Sequence, residues 1–187
     1  MDLSLSLWIH EHIPPLSCFK FASILIAPAN WIILWIILSV ICFHKSLQKH
    51  LPFCLQFLAM MLLAFGLAGI LKIVVGKARP DYFFETGFYG YLPFHGFSHA
   101  FRSFPSSHSA TAFGLVTLFV ILKHPRWWIS LILYLFAISL AASRLFLECH
   151  YLSDVLAGAF LGISCALIIK KIGQVIHLPD QIKKLLK

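Results

Sequence analysis

Five long apolar stretches dominate this sequence and leave little choice of fold. They cover residues 29–43, 52–75, 107–122, 127–146 and 155–169. An α-helix needs about 20 apolar residues to cross a bilayer, and within lipid it satisfies its own backbone polar groups. The pattern therefore predicts an all-α, polytopic transmembrane helical bundle of about five spans, with residues 1–187 forming a single membrane-embedded domain.

The composition also indicates a membrane protein. Hydrophobic residues make up 60% of the chain and charged residues only 12%, whereas a soluble domain has about 25% charged residues. A net charge of +8 is often seen in nucleic-acid-binding proteins. Here the basic residues lie mostly at the ends of apolar stretches, where they indicate membrane topology. We expect the bilayer, and no nucleic acid, as a partner.

The distribution of basic residues orients the bundle. Two short basic loops and the basic tail, residues 170–187, fall on one side, which the positive-inside rule assigns to the cytoplasm. The long loop of residues 76–106 then faces outward, into the periplasm if this is a bacterial inner (plasma) membrane protein. Five basic residues on the outer side run against the rule and need another explanation: Lys72, Lys77, Arg79, Arg102 and Arg144.

The N-terminal segment, residues 1–27, mixes apolar and polar residues, and Pro14 and Pro15 interrupt it. Its apolar pieces are too short to span, so it is predicted to be an interfacial segment. An irregular additional span is the alternative. The segment lacks the basic region and cleavage site of a signal peptide.

Four polar residues gather around the junction of the last two apolar stretches: Arg144, Glu148, His150 and Asp154. Ionisable residues at a membrane boundary are energetically expensive, which favours a functional site. His150 and Asp154 are four residues apart, so in a helix they share a face, and the carboxylate can hold one imidazole tautomer. The alternative is a short connection in which Asp154 caps the next helix.

Three cations on the outer side are suited to binding a phosphate group. Lys72, Arg79 and Arg144 supply positive charge, and Ser106 precedes a helix N-terminus with free N–H groups that attract anions. Snorkelling of Lys72 and Arg79 towards the interface is the alternative, as is simple N-capping by Ser106. Snorkelling does not account for three cations beside two histidines.

These residues fall into three motifs, and here the sequence resembles the type 2 phosphatidic acid phosphatase superfamily. That family has the signature K-x6-R-P, P-S-G-H and S-R-x5-H-x3-D. The first and third motifs match at every defining position, whereas the second has Ser107 where the family usually has Gly. Each motif alone is weak, but three in this order and spacing are specific. The matching residues are Lys72, Arg79, Pro80, Pro105, Ser106, His108, Ser143, Arg144, His150 and Asp154.

The resemblance implies a metal-independent hydrolase of lipid phosphates or diphosphates, without a cofactor. In such an enzyme His150 attacks phosphorus to form a phosphohistidine, and Asp154 orients and charge-stabilises it. His108 protonates the departing oxygen and then activates water. The phosphate-binding residues implied are Lys72, Arg79, Ser106, Ser107 and Arg144. We expect activity to survive the presence of Ser107, with altered headgroup preference.

The substrate expected from the resemblance is a lipid whose tail stays in the outer leaflet while its phosphate enters the site. Three classes fit: an undecaprenyl diphosphate, a lipid A phosphate, and phosphatidate or phosphatidylglycerophosphate. The sequence does not choose among them, and it makes no prediction about oligomeric state.

Several outer-side residues have less specific interpretations. Lys77 is predicted to be an interfacial lysine rather than a headgroup contact. Arg102, His95 and His99 either select headgroups or belong to a solvated loop. Glu148 is a candidate partner for Arg144 and is assigned no catalytic role.

Three other functions compete with the phosphatase hypothesis. A transporter or channel also carries intramembrane charges, but these are usually spread through the bilayer depth. A metal-dependent hydrolase would use His108, His150, Asp154 and Glu148 as ligands. A serine hydrolase would use Ser106 and His108. Both enzyme alternatives leave the outer-side cations unexplained.

Overall fold

The computed structural model describes residues 2–13, 24, 27–44 and 47–177, and these residues are almost entirely helical. Two 3-10 turns, Gln48–His50 and His99–Phe101, join longer helices. The α-helices are α1 (Asp2–His12), α2 (Pro28–Ile41), α3 (Leu51–Val75), α4 (Pro80–Thr86), α5 (Ser107–Lys123), α6 (Trp127–Phe146) and α7 (Leu152–His177).

The helices match the predicted spans. Helices α3, α6 and α7 are long and apolar enough to cross a membrane, and α2 and α5 are shorter apolar helices. The prediction of an all-α transmembrane bundle is confirmed. Helix α7 is longer than expected, because its first turn tolerates polar Ser153 and Asp154 and its last turns continue through Lys170 and Lys171.

The two terminal segments are described in part. Residues 2–12 of the predicted interfacial segment form α1, whereas residues 14–23, 25 and 26 lie outside the described residues. Residues 170–177 of the predicted basic tail continue α7. The tail lysines Lys183, Lys184 and Lys187, like Lys45 in the first basic loop, also lie outside the described residues.

Helices α5 and α7 pack closely because small residues face each other. A Cβ atom added at Gly158 would lie 2.3 Å from the Ser106 carbonyl oxygen, and one at Gly162 would lie 2.1 Å from the Ala110 carbonyl oxygen. Small residues of this kind let membrane helices approach closely. The backbone N–H of Ser106 accordingly donates to the Asp154 carbonyl at 2.9 Å. The starts of α5 and α7 are thereby held side by side.

A buried apolar cluster fills the interior of the bundle beneath these helix starts. It contains Phe57, Met60 and Met61 of α3, Leu118 of α5 and Cys165 of α7. Met60 and Leu118 have no solvent exposure. Because this cluster joins α3, α5 and α7, it holds the C-terminal end of α3 beside the N-terminal ends of α5 and α7.

The loop of residues 76–106 folds back over the end of α3. Gly76 ends that helix in the left-handed region, with φ +56°, and a Cβ there would lie 1.7 Å from the Leu92 carbonyl oxygen. Phe94 N–H donates to the Ile73 carbonyl at 2.8 Å, and Lys77 forms an isolated antiparallel bridge with Tyr91. The predicted loop is therefore an ordered cover that includes α4.

The α5–α7 contact makes a testable prediction for two helical glycines. Gly162→Ala forces a methyl group against the Ala110 carbonyl and should destabilise the protein by about 1–3 kcal/mol, the range for overpacking. Gly66→Ala in α3 is the matched control, because nothing lies within 4 Å of its added Cβ. Thermal unfolding in detergent should show a lower melting temperature for Gly162→Ala alone. Equal melting temperatures would contradict the close approach of α5 and α7.

Candidate active site

The three sequence motifs meet at one open cavity of about 220 Å³, where the C-terminal end of α3 lies beside the N-terminal ends of α5 and α7. Lys72 comes from the last turn of α3, His108 from the first turn of α5, and His150 from the residues before α7. The cavity is lined by Pro28, Phe65, Lys72, Arg79, His99, Arg102, Ser107, His108 and His150. Basic side chains therefore dominate a cavity that has apolar groups at its edge.

His150 is held in a single tautomer by the backbone. Its Nδ1 lies 2.7 Å from the Ser103 carbonyl oxygen, and because a carbonyl only accepts hydrogen bonds, Nδ1 must carry the proton. In the neutral ring, Nε2 is then the nitrogen with a free lone pair. Burial lowers the pKa of His150 well below its usual value, and the charges of Lys72, Arg79 and Arg144 lower it further. His150 is therefore neutral at pH 7.

Asp154 contacts His150 less directly than the sequence predicted. Its Oδ2 lies 3.9 Å from His150 Nδ1, which is longer than a hydrogen bond. That oxygen instead accepts the Tyr151 backbone N–H at 2.8 Å and the Ser103 hydroxyl at 2.5 Å. Because Asp154 is in the first turn of α7, its side chain folds back onto the helix N-terminus, as in a capping box. The capping alternative is thus correct, and the hydrogen bond that orients His150 comes from Ser103.

The predicted phosphate-binding cations are largely buried around the cavity. Lys72 is 6% exposed, and its Nζ donates to the Arg102 and Pro105 carbonyls at 2.8 and 2.6 Å, so the snorkelling alternative is wrong for this residue. Arg79 Nη1 donates to His99 Nε2 at 3.0 Å. Arg144, also 6% exposed, lies outside the cavity wall but near enough for its charge to act on His150.

The second motif divides into one capping and two cavity residues. Ser106 is fully buried, and its Oγ accepts the Ser109 N–H at 3.4 Å, so its hydroxyl caps α5 and does not line the cavity. Ser107 and His108 do line it, in the first turn of α5. Ser107 has helical backbone geometry and is not among the residues with positive φ. A serine in place of the usual glycine therefore introduces no backbone strain.

Lys77 is a contact that sequence reasoning missed. It is 1% exposed, so it is not the interfacial lysine that was predicted. Its Nζ donates to Asp154 Oδ1 at 2.8 Å, Asp2 Oδ2 at 2.9 Å and Ser153 Oγ at 2.8 Å. Burial alone would lower the pKa of Lys77, but the carboxylates of Asp154 and Asp2 outweigh it and raise the pKa overall. The signal in the sequence was its position on the outer side, against the positive-inside rule.

The remaining outer-side residues separate into two groups. His99 and Arg102 line the cavity, whereas the exposed His95 ring contacts the Pro93 carbonyl. Glu148 Oε1 lies 2.8 Å from His10 Nδ1 of α1, rather than pairing as expected with Arg144. Phe84 stacks on the same His10 ring at 4.0 Å between centroids. Glu148 therefore attaches α1 to the outer loops.

The donor set does not resemble a metal centre in the part of the chain that the structure describes. No group of three or more His, Cys, Asp or Glu side chains there is arranged to hold a metal ion. Both Asp154 oxygens are occupied by protein donors, and Glu148 points to His10. The expectation that catalysis needs no metal stays a prediction.

Comparison with known proteins settles the family. Residues 53–177 match the PAP2 superfamily. The chain belongs to this superfamily. The resemblance found through the three motifs is thereby confirmed, and the matched region contains every motif residue.

Two curated relatives are named as lipid A phosphatases. The lipid A 1-phosphatase of Rhizobium johnstonii is 43% identical over 96 residues, which are 51% of this chain and 38% of that protein. The lipid A 4'-phosphatase of Bacteroides thetaiotaomicron is 41% identical over 59 residues, which are 32% of this chain and 26% of that protein. The matched stretches span less than half the length of these relatives.

Two solved structures share the fold over most of the chain. Aquifex aeolicus LpxE has a TM-score of 0.66 at 25% identity, covering 91% of this chain and 94% of that one. A transmembrane PAP2-type phosphatidylglycerolphosphate phosphatase from Bacillus subtilis has a TM-score of 0.61 at 21% identity, covering 94% and 85%. The second likeness concerns the fold alone.

The lowered pKa of His150 predicts how stability changes with pH. Below about pH 6.5 an unfolded histidine binds a proton, whereas folded His150 stays neutral, so protons favour the unfolded chain. Stability should fall as the pH drops from 7 to 5, and His150→Asn should remove up to about 1.4 kcal/mol per pH unit of this slope. Melting temperatures at several pH values measure it, with exposed His95→Asn as the control. An unchanged slope in His150→Asn would contradict a neutral buried ring.

Proposed function

We propose that this protein is a metal-independent membrane phosphatase that removes phosphate from a lipid through a phosphohistidine intermediate on His150. One observation carries the proposal. The bond from His150 Nδ1 to the Ser103 carbonyl leaves Nε2 as an unprotonated nucleophile on a ring that lines a cation-rich cavity. A neutral nucleophile beside fixed positive charge is suited to attack on an anionic phosphate.

In the first step, the His150 Nε2 lone pair attacks phosphorus and the bond from phosphorus to the lipid oxygen breaks. His108, which lines the same cavity, is the imidazolium in the complex with the anionic phosphate; it donates its proton to the departing oxygen and becomes neutral. The ring of His150 then carries phosphate on Nε2 and a proton on Nδ1, and is positively charged. The Ser103 carbonyl at 2.7 Å and the Asp154 carboxylate at 3.9 Å both stabilise that charge.

In the second step, water attacks the phosphohistidine while His108 accepts a proton from it. The bond between phosphorus and Nε2 breaks, its electron pair returns to the ring, and His150 becomes neutral again. Lys72, Arg79 and Arg144 balance the negative charge on the transferring phosphoryl group throughout, as fixed cations do in other phosphoryl transfers. Ser107 and the free N–H groups at the start of α5 add an anion-binding helix N-terminus.

The substrate class that we favour is a lipid A phosphate. The matched curated relatives are named as lipid A 1- and 4'-phosphatases. Pro28 at the start of α2 and Phe65 within membrane-spanning α3 add apolar groups to the cavity wall, which suits a lipid with its tail in the bilayer. Prenyl diphosphates, phosphatidate and phosphatidylglycerophosphate are the competing substrates in the test below.

We place the cavity on the outer face of a bacterial inner membrane. The opposite ends of the helices carry Lys49, Lys123, Arg126, Lys170 and Lys171, and the positive-inside rule puts such residues in the cytoplasm. The cations around the cavity are accounted for by phosphate binding. They are therefore compatible with an outward, periplasmic position.

The first test is phosphate release by the purified protein in detergent, with EDTA present. The panel contains a lipid A, a prenyl diphosphate, phosphatidate and phosphatidylglycerophosphate. We expect release from lipid A to be highest and unaffected by EDTA, and to fall by about 10⁴-fold or more in His150→Ala. Phosphate on His150 should be stable to alkali and labile to acid. Loss of activity in EDTA, or full activity in His150→Ala, would contradict the proposed mechanism.

A second test concerns the cavity residues contributed by the outer loop. Arg102 is exposed at the cavity wall, so its guanidinium should contact the lipid headgroup rather than the transferring phosphate. Arg102→Ala should raise KM by about tenfold and leave kcat nearly unchanged. This is the result expected when the lost contact stabilised the bound substrate and the transition state equally. His95→Ala, in the same loop but outside the cavity wall, should change neither constant. A large fall in kcat for Arg102→Ala would instead assign it to phosphate binding.

A further inference from the structure

A chain of buried polar contacts runs from the N-terminal helix to His150. Asp2 of α1 accepts a hydrogen bond from Lys77, and Lys77 also donates to Asp154 Oδ1. The other oxygen of Asp154 accepts the Ser103 hydroxyl. The carbonyl of Ser103 then accepts the proton of His150 Nδ1. Of these five residues, only His150 and Asp154 belong to the sequence motifs.

We propose that Lys77 and Asp2 are positioning residues for His150. Helix α1, which carries Asp2, thereby contributes to catalysis by helping to fix the position of His150. This inference rests on the proposed phosphatase function. Neither residue lines the cavity, so both act through Asp154 and Ser103 rather than on the substrate.

Ser103 is the link through which Asp154 can set the position of His150. It is fully buried, and its two polar ends point in different directions, the hydroxyl to Asp154 and the carbonyl to His150. A second backbone bond, from the Ser103 N–H to the Lys77 carbonyl at 3.1 Å, ties the same residue to Lys77. A shift of Asp154 therefore moves Ser103, and with it the hydrogen bond that selects the tautomer of His150.

Lys77 also keeps Asp154 from neutralising the phosphate-binding cations. Asp154 is near enough to Lys72 and Arg79 for electrostatic attraction between them. A buried carboxylate that lost the ammonium of Lys77 would be under-neutralised, and rotation towards Lys72 or Arg79 would relieve that loss. Such a rotation would break its bond to Ser103 and reduce the positive charge available to phosphate. Lys77 thus keeps the Asp154 carboxylate, which acts on His150 through Ser103, apart from the cations Lys72 and Arg79, which bind the substrate phosphate.

Asp2 attaches α1 to this arrangement. Besides Lys77, its carboxylate accepts the backbone N–H of Ser153 at 3.0 Å and the Ser153 hydroxyl. Ser153 is in the first turn of α7, next to Asp154. Asp2 therefore supplies a second negative partner that holds Lys77 in place, and it fixes α1 against the start of α7. At the other end of α1, His10 contacts Glu148, so both ends of the helix are held.

The experiment compares four variants with the wild type in the lipid phosphate assay, with kcat, KM and melting temperature measured for each. Lys77→Met removes the charge and keeps an unbranched chain, whereas Lys77→Arg restores the charge. Asp2→Asn keeps the shape of the side chain but weakens its hold on Lys77. Glu11→Gln is the matched control, since Glu11 is an exposed acid on the same helix.

We expect kcat to fall by about 10- to 100-fold in Lys77→Met, the range seen when a partner that orients a functional group is removed. KM should change by less than about threefold, because the cavity wall is intact. Asp2→Asn should show a smaller fall in kcat with the same unchanged KM, Lys77→Arg should recover part of the lost kcat, and Glu11→Gln should match the wild type.

Each other outcome has a distinct meaning. Wild-type kcat in folded Lys77→Met and Asp2→Asn, with only their melting temperatures lowered, would reduce both residues to a structural role and overturn the inference. If Lys77→Met does not fold, Asp2→Asn decides the question by the same comparison. A wild type that releases no phosphate, or a His150→Ala variant that retains activity, would overturn the proposed function and this inference with it.

Discussion

The Asp154 carboxylate is a fully buried charge, and the loop of residues 76–106 and the start of α7 are arranged around it. A buried carboxylate is strongly destabilising unless it is paired and hydrogen-bonded. Here the backbone of Tyr151, the hydroxyl of Ser103 and the ammonium of Lys77 satisfy it. Tyr151 lies at the start of α7, whereas Lys77 and Ser103 lie at the two ends of the loop of residues 76–106. A single charge therefore holds both ends of that loop against the start of α7.

The close packing of α5 against α7 determines where the reactive groups stand. Gly158 and Gly162 let the helices approach until the Ser106 N–H reaches the Asp154 carbonyl. His108 at the start of α5 and His150 before α7 consequently line the same cavity. Without that approach, the two histidines would lie at separate helix ends rather than in one cavity.

The cations around the cavity repel one another, and both this repulsion and their burial are unfavourable. Burial of His150 lowers its pKa, and the charges of Lys72, Arg79 and Arg144 lower it further. The protein offsets part of this by giving Lys72 two carbonyl acceptors and Arg79 a histidine acceptor. These contacts keep the cations in fixed positions, so the phosphate binding that we propose would need little reorganisation.

The sequence by itself determined the membrane class, the approximate spans and the residues of the three motifs, because apolar run length and fixed local spacing are properties of neighbouring residues. It also marked Lys77 as anomalous without revealing its partners. Only the tertiary structure decided that Ser103 orients His150, that the Ser106 hydroxyl caps α5, and that Asp2 reaches Ser153 at a separation of 151 residues. Those contacts depend on how the outer loop and α1 fold over the helix ends. No local pattern encodes such long-range packing, because the direction of each side chain is set by neighbours brought together only in the folded bundle.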